Sequence, residues 1–597
     1  MPGHQRRKQV TVLGFVIGLA FVAAHAATAG PAVGVAVDAS VGSPSDRTPQ
    51  NHQNEVAIAI DAHNPDFLVA GSIDYIDQQP CPQNLAATTA HCEFVPEPIG
   101  AGVAGVYFSF DRGRTWTQPT YTGWTARDCV GADRCPGHFG PIGTVPWWYE
   151  AGLFADGDPA VAVGPRSVDG RFSWANGSRV YYASRAASFP GRRTINGVAS
   201  IAVSRLDNPT PSRVAQKSSW MPPVLLNKRQ GSKTEEDKEQ IWVDNAASSP
   251  YFGNAYVCYT EFRSFSNGNM LPQPLTLATS SDGGDSWRVR QITPSDANGH
   301  GNGQWGYFGC SIRTGSHGVV YLAVERSQNP ALSGLPIPGE HMLFQSSDGG
   351  ATWSAGRSIL TTTVPCHFRD PLSGRCVMDG YTGARTDTSD APSLDIANGA
   401  PTGADATDLM IDAWSDASAG LNNEQSRVSW SSDRGRTWND PVPVSLPGDR
   451  PLYTAPALSP TGDRAYLVYE AVTSPWRGSD LDSPRPYHGA MLTAPIGPAG
   501  PGTWTTLYNG PPGDLRATYP GHRLGEERVG DYVYAAASRD YGVAVWIDAR
   551  NAAVCPAIQA WRGQSLAAGE TIIPAPWPLA ACPPTFGNTD VWTATTG

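Results

Sequence analysis

Short runs in which apolar and polar residues alternate recur along the whole chain, and turn residues separate them. Examples are NEVAIAI at 54–60, RVYYASR at 179–185, DLMIDAWSD at 408–416 and GVAVWIDARN at 542–551. Alternation with a period of two is typical of β-strands that bury one face. The pattern therefore predicts an all-β chain.

An octapeptide of the form Ser-x-Asp-x-Gly-x-Thr/Ser-Trp follows such a run four times, beginning at Ser109, Ser280, Ser346 and Ser431. Its Asp can bond the amides of a tight turn, and its Gly can take a positive φ. Its Trp begins the next strand and covers the turn with apolar surface. Four copies of one turn predict a repeat architecture.

The octapeptide resembles the Asp-box, also called the bacterial neuraminidase repeat, of sialidases and related β-propellers. In that family the box marks the turn between the third and fourth strands of a blade, on the face away from the active site. The resemblance implies structural rather than catalytic roles for Asp111, Asp282, Asp348 and Asp433.

The repeat unit recurs seven times when copies without the octapeptide are counted. The last unit has three strand-like runs and no fourth, whereas PAVGVAVDAS at 31–40 is a lone strand before the first unit. We expect this strand to complete the last blade, because closure removes exposed sheet edges. The prediction is one all-β domain over 30–597, a seven-bladed β-propeller, with six or eight blades as alternatives. Sialidase catalytic domains, in the resembling family, have six.

The first 29 residues predict a signal peptide. A basic segment at 6–8 precedes an apolar run at 10–24, and small-residue motifs at 24–26 and 27–29 offer cleavage sites. The run is too short to span a membrane comfortably. The paired arginines make twin-arginine export an alternative to general secretion.

Ten cysteines fit an oxidising compartment. We expect five disulfides, which join Cys81 with Cys92, Cys129 with Cys135, Cys366 with Cys376, Cys555 with Cys582, and Cys258 with Cys310. No Cys-x-x-Cys motif or nearby histidine completes a metal-ligand set. We therefore expect no metal and no cofactor; a structural calcium in an Asp-rich loop is the alternative, although no spaced carboxylate loop indicates one.

The net charge of −11 argues against nucleic acid or an anionic membrane surface as a partner. A hydrophobic fraction of 40% with 19 Trp supplies core material, and 64 Gly with 52 Pro suit many turns. We expect a secreted monomer, extracellular or periplasmic, whose partner is an extracellular glycan.

The strand order of a propeller blade indicates where a functional site lies. Strands A to D run up and down, so the A–B and C–D turns share one face. Because the octapeptides are predicted C–D turns, we expect the site on the opposite face, before strand A or after strand B. Carboxylates, arginines and aromatics occupy those positions, and they suit binding or hydrolysis of a sugar.

The candidate residues follow from that selection. The catalytic candidates are Tyr532, Glu261, Glu325, Asp416 and Asp548. The substrate-binding candidates are Arg263, Arg326, Arg385, Arg528, Arg550, Trp305 and Tyr307. The resemblance to sialidases implies a nucleophilic role for Tyr532, with Glu261 or Glu325 as its partner and arginines as a carboxylate clamp. The family's Phe/Tyr-Arg-Ile-Pro motif is absent, and Asp416 and Asp548 could instead bond neighbouring backbone.

Three functions are consistent with this pattern. The favoured one is a sialidase-like glycoside hydrolase acting on extracellular glycans. The second is a propeller that binds glycan or protein without catalysis, and the third is a polysaccharide lyase. Fold alone does not choose among them.

Overall fold

The protein is described by a computed structural model that covers most of the chain. The described segments are 36–80, 100–129, 136–228, 230–263, 273–294, 305–328, 335–369, 375–380, 383–518, 528–568 and 578–596, with single residues 1, 3, 573 and 576. The predicted signal peptide lies outside them, apart from two single residues.

Antiparallel sheets form seven blades. The first two blades and the strand that precedes them contain β1 (Val37–Asp38), β2 (Gln53–Ile60), β3 (Leu68–Asp74), β4 (Ala104–Ser109), a hairpin of β5 (Tyr121–Thr125) and β6 (His138–Ile142), β7 (Leu153–Val168), β8 (Arg171–Ser188), β9 (Ser200–Asp207), the helix α1 (Pro211–Val214) and β10 (Trp220–Leu225). Blades 3 and 4 contain β11 (Glu235–Val243), β12 (Ala255–Phe262), β13 (Leu275–Ser280), β14 (Arg288–Gln291), β15 (Trp305–Thr314), β16 (Val320–Gln328), β17 (Ile337–Ser346) and β18 (Arg357–Val364).

The remaining three blades follow the same order. A short hairpin of β19 (Val377–Met378) and β20 (Ala384–Arg385) precedes them as a separate sheet. The three blades then contain β21 (Ser393–Ile396), β22 (Met410–Asp416), β23 (Gln425–Ser431), β24 (Val442–Pro443), β25 (Arg450–Leu458), β26 (Arg464–Val472), β27 (Pro486–Gly497), β28 (Gly500–Pro501), β29 (Thr505–Asn509), β30 (Gly513–Asp514), β31 (Tyr534–Ala537), β32 (Gly542–Asp548), the helices α2 (Pro556–Ala568) and α3 (Pro578–Ala581), and β33 (Asp590–Thr595). Among the described residues, no helix is both long and apolar enough to cross a membrane.

The ring closes as predicted. The inner strands β2, β7, β11, β15, β21, β25 and β31 contact one another in that order, and β31 contacts β2. The last sheet has the order β1-β33-β32-β31, so the N-terminal strand supplies its fourth strand. Val37 pairs with Thr593 and Asp38 pairs with Trp592. The all-β, seven-bladed prediction and its mode of closure are confirmed.

The four octapeptides form the same turn after the third strand of blades 1, 3, 4 and 5. In blade 1, Ser109 Oγ donates to Asp111 Oδ1 at 2.9 Å, and the Thr115 amide donates to the same oxygen at 2.9 Å. The Trp116 indole packs in a core shared with blade 7, and its Nε1 donates to Thr593 Oγ1 at 3.0 Å. The turn therefore fastens one blade to the preceding one.

Replacing Asp111 by Ala should lower the free energy of unfolding by about 1 kcal/mol, because the turn loses its amide cap. Three hydrogen bonds to this carboxylate disappear in the variant. Chemical denaturation measures the effect, and Asp46→Ala, at an exposed carboxylate, is the control. Equal stability of the two variants would contradict a structural role for the turn.

Three of the expected disulfides lie wholly within the described residues and are formed: Cys258–Cys310, Cys366–Cys376 and Cys555–Cys582. The first joins β12 of blade 3 to β15 of blade 4 across 52 residues of sequence.

The other two expected disulfides involve residues outside the described part of the chain. Cys129 is disulfide-bonded, while its expected partner Cys135 is not among the described residues. Cys81 and Cys92 both lie in the segment 81–99, which is also outside them. The pairing of Cys81 with Cys92 and that of Cys129 with Cys135 therefore stay predictions.

Several carboxyl groups are buried within the blades rather than exposed. Burial raises the pKa of Glu236 to about 8, and it raises those of Asp244 and Asp590 to about 7. Glu236 accepts hydrogen bonds from Ser200 Oγ and Asn227 Nδ2, both at 2.8 Å. These bonds lower the pKa of Glu236, but they offset only part of the increase that burial causes. The folded chain therefore holds protons on these groups at a pH where the unfolded chain has released them.

We expect the folded state to lose stability as the pH rises from about 4.5 to about 8, because it binds more protons than the unfolded state in that window. Thermal unfolding across this range measures the slope. Glu236→Gln should flatten it, since the amide carries no titrating proton. A slope unchanged by this substitution would mean that Glu236 is ionised in the folded protein.

Candidate active site at the centre of the propeller

The face opposite the octapeptides carries a cluster of charged side chains at the propeller axis. We call it the central cluster; its members are Glu55, Asp158, Asp237, Lys238, Glu239, Arg385, Asp531 and Tyr532. The first five come from the beginnings of inner strands β2, β7 and β11. Arg385 ends β20, and Asp531 with Tyr532 precedes β31. Most of these side chains are buried, and Tyr532 and Asp237 are partly exposed.

A β-bulge in the inner strand of each of blades 1 to 4 turns one residue out of the regular ladder. The residues are Glu55, Asp158, Lys238 and Gly309, with φ of 49°, 47°, 59° and 61°. Positive φ is unfavourable for the first three of these side chains. Bulges re-aim side chains and occur often beside active sites. Here the bulged Glu55, Asp158 and Lys238 meet at the axis.

Lys238 connects the carboxylates of three blades. Its Nζ lies 3.4 Å from Glu55 Oε1, 3.1 Å from Asp158 Oδ2 and 2.6 Å from Asp531 Oδ2. The ammonium also lies 5.5 Å from the centre of the Tyr532 ring. Burial favours the neutral form of Asp158, but Lys238, together with Arg185 and hydrogen bonds to Asp237 and Glu55, holds the pKa of Asp158 well below its usual range.

Arg385 is bound to Asp531 through two hydrogen bonds, one of them from Nε at 2.8 Å. Backbone contacts fix both partners, since Tyr453 Oη donates to the Arg385 carbonyl and Thr388 Oγ1 donates to the Asp531 carbonyl at 2.7 Å. Burial opposes the charge on Asp531, yet Arg385 and Lys238 lower its pKa below the ordinary value. The Arg385–Asp531 ion pair is therefore held in place on one side of the central cluster.

Tyr532 donates its hydroxyl hydrogen to Glu55 Oε2 at 3.1 Å. Burial and four surrounding carboxylates raise the pKa of the Tyr532 phenol well above its usual value. The phenol is therefore neutral at physiological pH, and its proton can leave only to a base in contact with it. Glu55 is that base by position, with Lys238 and Arg385 on the side of its other oxygen.

A cavity of about 50 Å³ lies against this cluster, lined by Lys238, Glu239, Asp531 and Tyr532 among others. A larger one of about 130 Å³ follows the axis toward the octapeptide face and is lined mainly by small apolar residues of the inner strands. Gln240 and Tyr534 line both cavities and lie 3.4 Å apart, Nε2 to Oη. This pair therefore borders both the charged cavity and the apolar one.

Only some of the site residues predicted from the sequence lie in the central cluster. Tyr532 and Arg385 both belong to the central cluster. Glu55, rather than Glu261 or Glu325, accepts the hydrogen bond of Tyr532. Glu261 pairs with Arg263 at 3.1 Å, whereas burial and the charge of Asp390 raise the pKa of Glu325.

The other candidates contact neighbours in their own or adjacent blades. Asp416 accepts from the Thr363 amide of blade 4 at 3.0 Å, and Asp548 accepts from Trp546 Nε1 at 3.1 Å. Each bonds backbone as well, which suits the alternative that Trp-x-Asp has a structural role.

Among the arginines, Arg326 pairs with Glu340 at 2.5 Å and lies over the Trp305 ring. Arg550 pairs with Asp548 at 2.6 Å and lies over the Trp592 ring. Arg528 is buried and donates to the Leu515 carbonyl at 3.2 Å, and Tyr307 is buried in the core between blades 3 and 4.

The selection from the sequence did not name four members of the cluster: Glu55, Asp237, Lys238 and Glu239. Glu55 and Glu239 lie inside runs assigned to strand A, and Asp237 and Lys238 directly precede the run EQIWVD at 239–244. Aligning the inner strands would have found them, because NEVA at 54–57, GDPA at 157–160, DKEQ at 237–240 and DYVY at 531–534 occupy equivalent positions. The second residue of each is a cluster member.

Comparisons with known proteins give structural likeness only. No family model matches the chain, and no curated protein matches it. The matching solved structures include the Hadza microbial sialidase Hz136, at 12% identity with a TM-score of 0.39, covering 70% of this chain and 63% of that one. The BP39L lectin from Burkholderia pseudomallei, at 12% identity and a TM-score of 0.39, covers 76% of this chain and 83% of its own.

The Trypanosoma rangeli sialidase matches at 10% identity and a TM-score of 0.34, over 71% of this chain and 54% of that chain. The chain thus spans less than two thirds of the length of both of these sialidases. The class of the protein is defined by its sheet order instead: it is a seven-bladed β-propeller with a charged cluster on its axis.

Proposed function

We propose that the protein is a secreted glycoside hydrolase that acts on an extracellular glycan at the central cluster. The observation that supports this most is the hydrogen bond from Tyr532 Oη to Glu55 Oε2 at 3.1 Å, inside a group of carboxylates. A hydroxyl nucleophile in contact with a carboxylate base is the arrangement that covalent catalysis requires. Tyrosine serves as the nucleophile in sialidases.

The proposed reaction begins with attack of the Tyr532 oxygen on the anomeric carbon, while Glu55 takes the phenol proton. The glycosidic carbon–oxygen bond breaks, and the leaving oxygen takes a proton from a solvent water, which becomes hydroxide. This hydroxide then attacks the anomeric carbon of the glycosyl-tyrosine, the bond to the Tyr532 oxygen breaks, and Tyr532 recovers its proton from Glu55. The sugar leaves with retained configuration. The raised pKa of Tyr532 makes the contact with Glu55 essential, since the phenol does not ionise by itself.

Charge at the cluster favours a neutral or amino-bearing sugar over an acidic one. The cluster contains five carboxyl side chains, Glu55, Asp158, Asp237, Glu239 and Asp531, and two cations, Lys238 and Arg385. Arg185 also acts on Asp158 and Asp237, but it is paired with Asp156 and Glu235 outside the cluster. Both cations of the cluster are already paired with carboxylates, so a sugar carboxylate would have to displace Asp531 from Arg385. A carboxylated sugar would also meet like charges, which costs free energy.

A non-catalytic glycan-binding propeller is the second candidate. It is favoured by the burial of Asp531 and Lys238, whose ion pairs are complete without a ligand. In this case the cluster holds four blades together, and sugar binds on the partly exposed surface round Tyr532.

Hydrolysis of aryl glycosides separates these functions. We expect release of the aryl group from one or more neutral or amino-sugar glycosides and none from an aryl sialoside, and proton NMR of the first product should show retained configuration. Glycan binding without turnover would instead support the second candidate. Turnover of the sialoside alone would contradict the charge argument, although hydrolysis itself would stand.

A further inference from the structure

Three carboxylates of the central cluster converge on one point between blades 2 and 3. One oxygen each of Asp158, Asp237 and Glu239 lies within 4.8 Å of the other two. Oxygens that coordinate the same calcium ion, each at 2.3–2.6 Å from it, lie at most about 5 Å apart. The three side chains are thus already at the separation that a shared cation requires.

Glu239 supplies an independent indication that this point holds a ligand. The residue is 3% exposed, and neither of its carboxylate oxygens has a hydrogen-bond partner in the described part of the chain. Lys238 Nζ approaches Glu55, Asp158, Asp237 and Asp531, and no ion pair within 4.0 Å joins it to Glu239 among the described residues. A buried carboxylate without a partner costs several kcal/mol by order of magnitude, so it needs a cation or a proton.

The charge at this point requires neutralisation. Burial raises the pKa of Glu239, and the negative charges of Asp158 and Asp237 raise it further. Burial and the charge of Asp158 likewise raise the pKa of Asp237. Lys238 and Arg185 both act on Asp158 and Asp237. Lys238 is shared with Glu55 and Asp531, however, and Arg185 is shared with Asp156 and Glu235. A divalent cation would balance Asp237 and Glu239 together.

We propose that Asp158, Asp237 and Glu239 bind a calcium ion that joins blades 2 and 3 beside Tyr532. The donors are exclusively carboxylate oxygens, which are hard ligands and suit calcium or magnesium rather than zinc or copper. Calcium is preferred because it accepts irregular geometry and additional water ligands, whereas magnesium demands a near-ideal octahedron. No calcium loop is visible along the sequence because the ligands come from two blades.

The proposal does not depend on glycoside hydrolysis, so it is tested by binding alone. The full chain is freed of cations with EDTA, exchanged into metal-free buffer and titrated by calorimetry with CaCl₂ and, separately, with MgCl₂. We expect one calcium site per chain and binding of magnesium at least about tenfold weaker. Saturating calcium should raise the Tm by about 2 °C or more, because the cation binds the folded state alone.

Glu239→Gln should weaken calcium binding at least about tenfold, since it removes one of three charged ligands. The matched control is Glu470→Gln, a buried glutamate of blade 6 that lies outside the cluster and has one oxygen without a partner among the described residues. The control should bind calcium like the natural protein. If Glu239→Gln fails to fold, Asp237→Asn at a partly exposed ligand replaces it.

Terbium(III) luminescence gives a second measurement on the same variants. Terbium takes calcium sites, and light absorbed by the nearby Tyr532 should excite its emission, which excess CaCl₂ should quench. Loss of calorimetric binding and of emission in Glu239→Gln, but not in Glu470→Gln, would support the site. Absence of calcium binding in the natural protein, or equal binding by both variants, would overturn it and leave a proton as the neutralising partner.

Discussion

Replacing Lys238 by Met is expected to lower the free energy of unfolding by about 3–5 kcal/mol, among the largest effects of any single change in this protein. The side chain is 5% exposed and its Nζ contacts carboxylates from blades 1, 2 and 7. Methionine fills nearly the same volume, so the loss reflects carboxylates left buried without their cation rather than a cavity.

Denaturant unfolding at pH 7 measures this loss, with Lys217→Met as the control. Lys217 pairs with Glu150 near the surface and should cost less than about 1 kcal/mol. The Lys238→Met penalty should shrink at pH 5, because the orphaned carboxyl groups can then take up protons. A penalty that does not depend on pH, or one as small as that of the control, would contradict an electrostatic role for Lys238.

Tyr532→Phe is expected to reduce kcat for the responsive glycoside by about a thousandfold while leaving KM within a few-fold. The substitution removes one oxygen and its hydrogen bond to Glu55, and the ring keeps its place beside Lys238. Thermal stability should therefore change little. Initial rates at saturating substrate measure the effect.

Tyr534→Phe is the matched control for this experiment. Tyr534 lies two residues further along the chain, and its hydroxyl contacts Gln240 rather than a carboxylate. It should retain activity within a few-fold. If Tyr532→Phe hydrolysed the glycoside as fast as Tyr534→Phe, the Tyr532–Glu55 pair would not be the reactive one. The carboxylates of the central cluster would then be the remaining catalytic candidates.

The architecture was predictable from sequence because each of its determinants is local. The runs with a period of two indicate how many strands the chain contains, and the octapeptides indicate which turns lie on the same face of the propeller. The lone run at 31–40 identified the strand that completes blade 7. None of these inferences needed knowledge of which side chains meet across the axis.

The site was predictable only in part, for reasons of geometry. Tyr532 and Asp531 precede β31 and could be selected from strand direction alone. Glu55 and Lys238 reach the axis because each lies in a β-bulge that reverses the expected alternation of side chains. Both have a positive φ, which the sequence does not indicate because neither residue is a glycine. Arg385 reaches the axis on β20, outside the seven blades, and periodicity does not determine its position.

The pairing of β1 with β33 also has a consequence for how the chain folds. Val37 and Thr593 are 556 residues apart, yet Thr593 Oγ1 donates to the Val37 carbonyl at 3.3 Å. During synthesis β1 stays unpaired until β33 has been made, so the final blade is completed only after the strands of blades 1 to 6 have been synthesised. Blades 1 to 6 can form earlier as an open arc, and closure should be the late, slow kinetic phase. A chain released before β33 would leave two exposed strand edges, which favour aggregation.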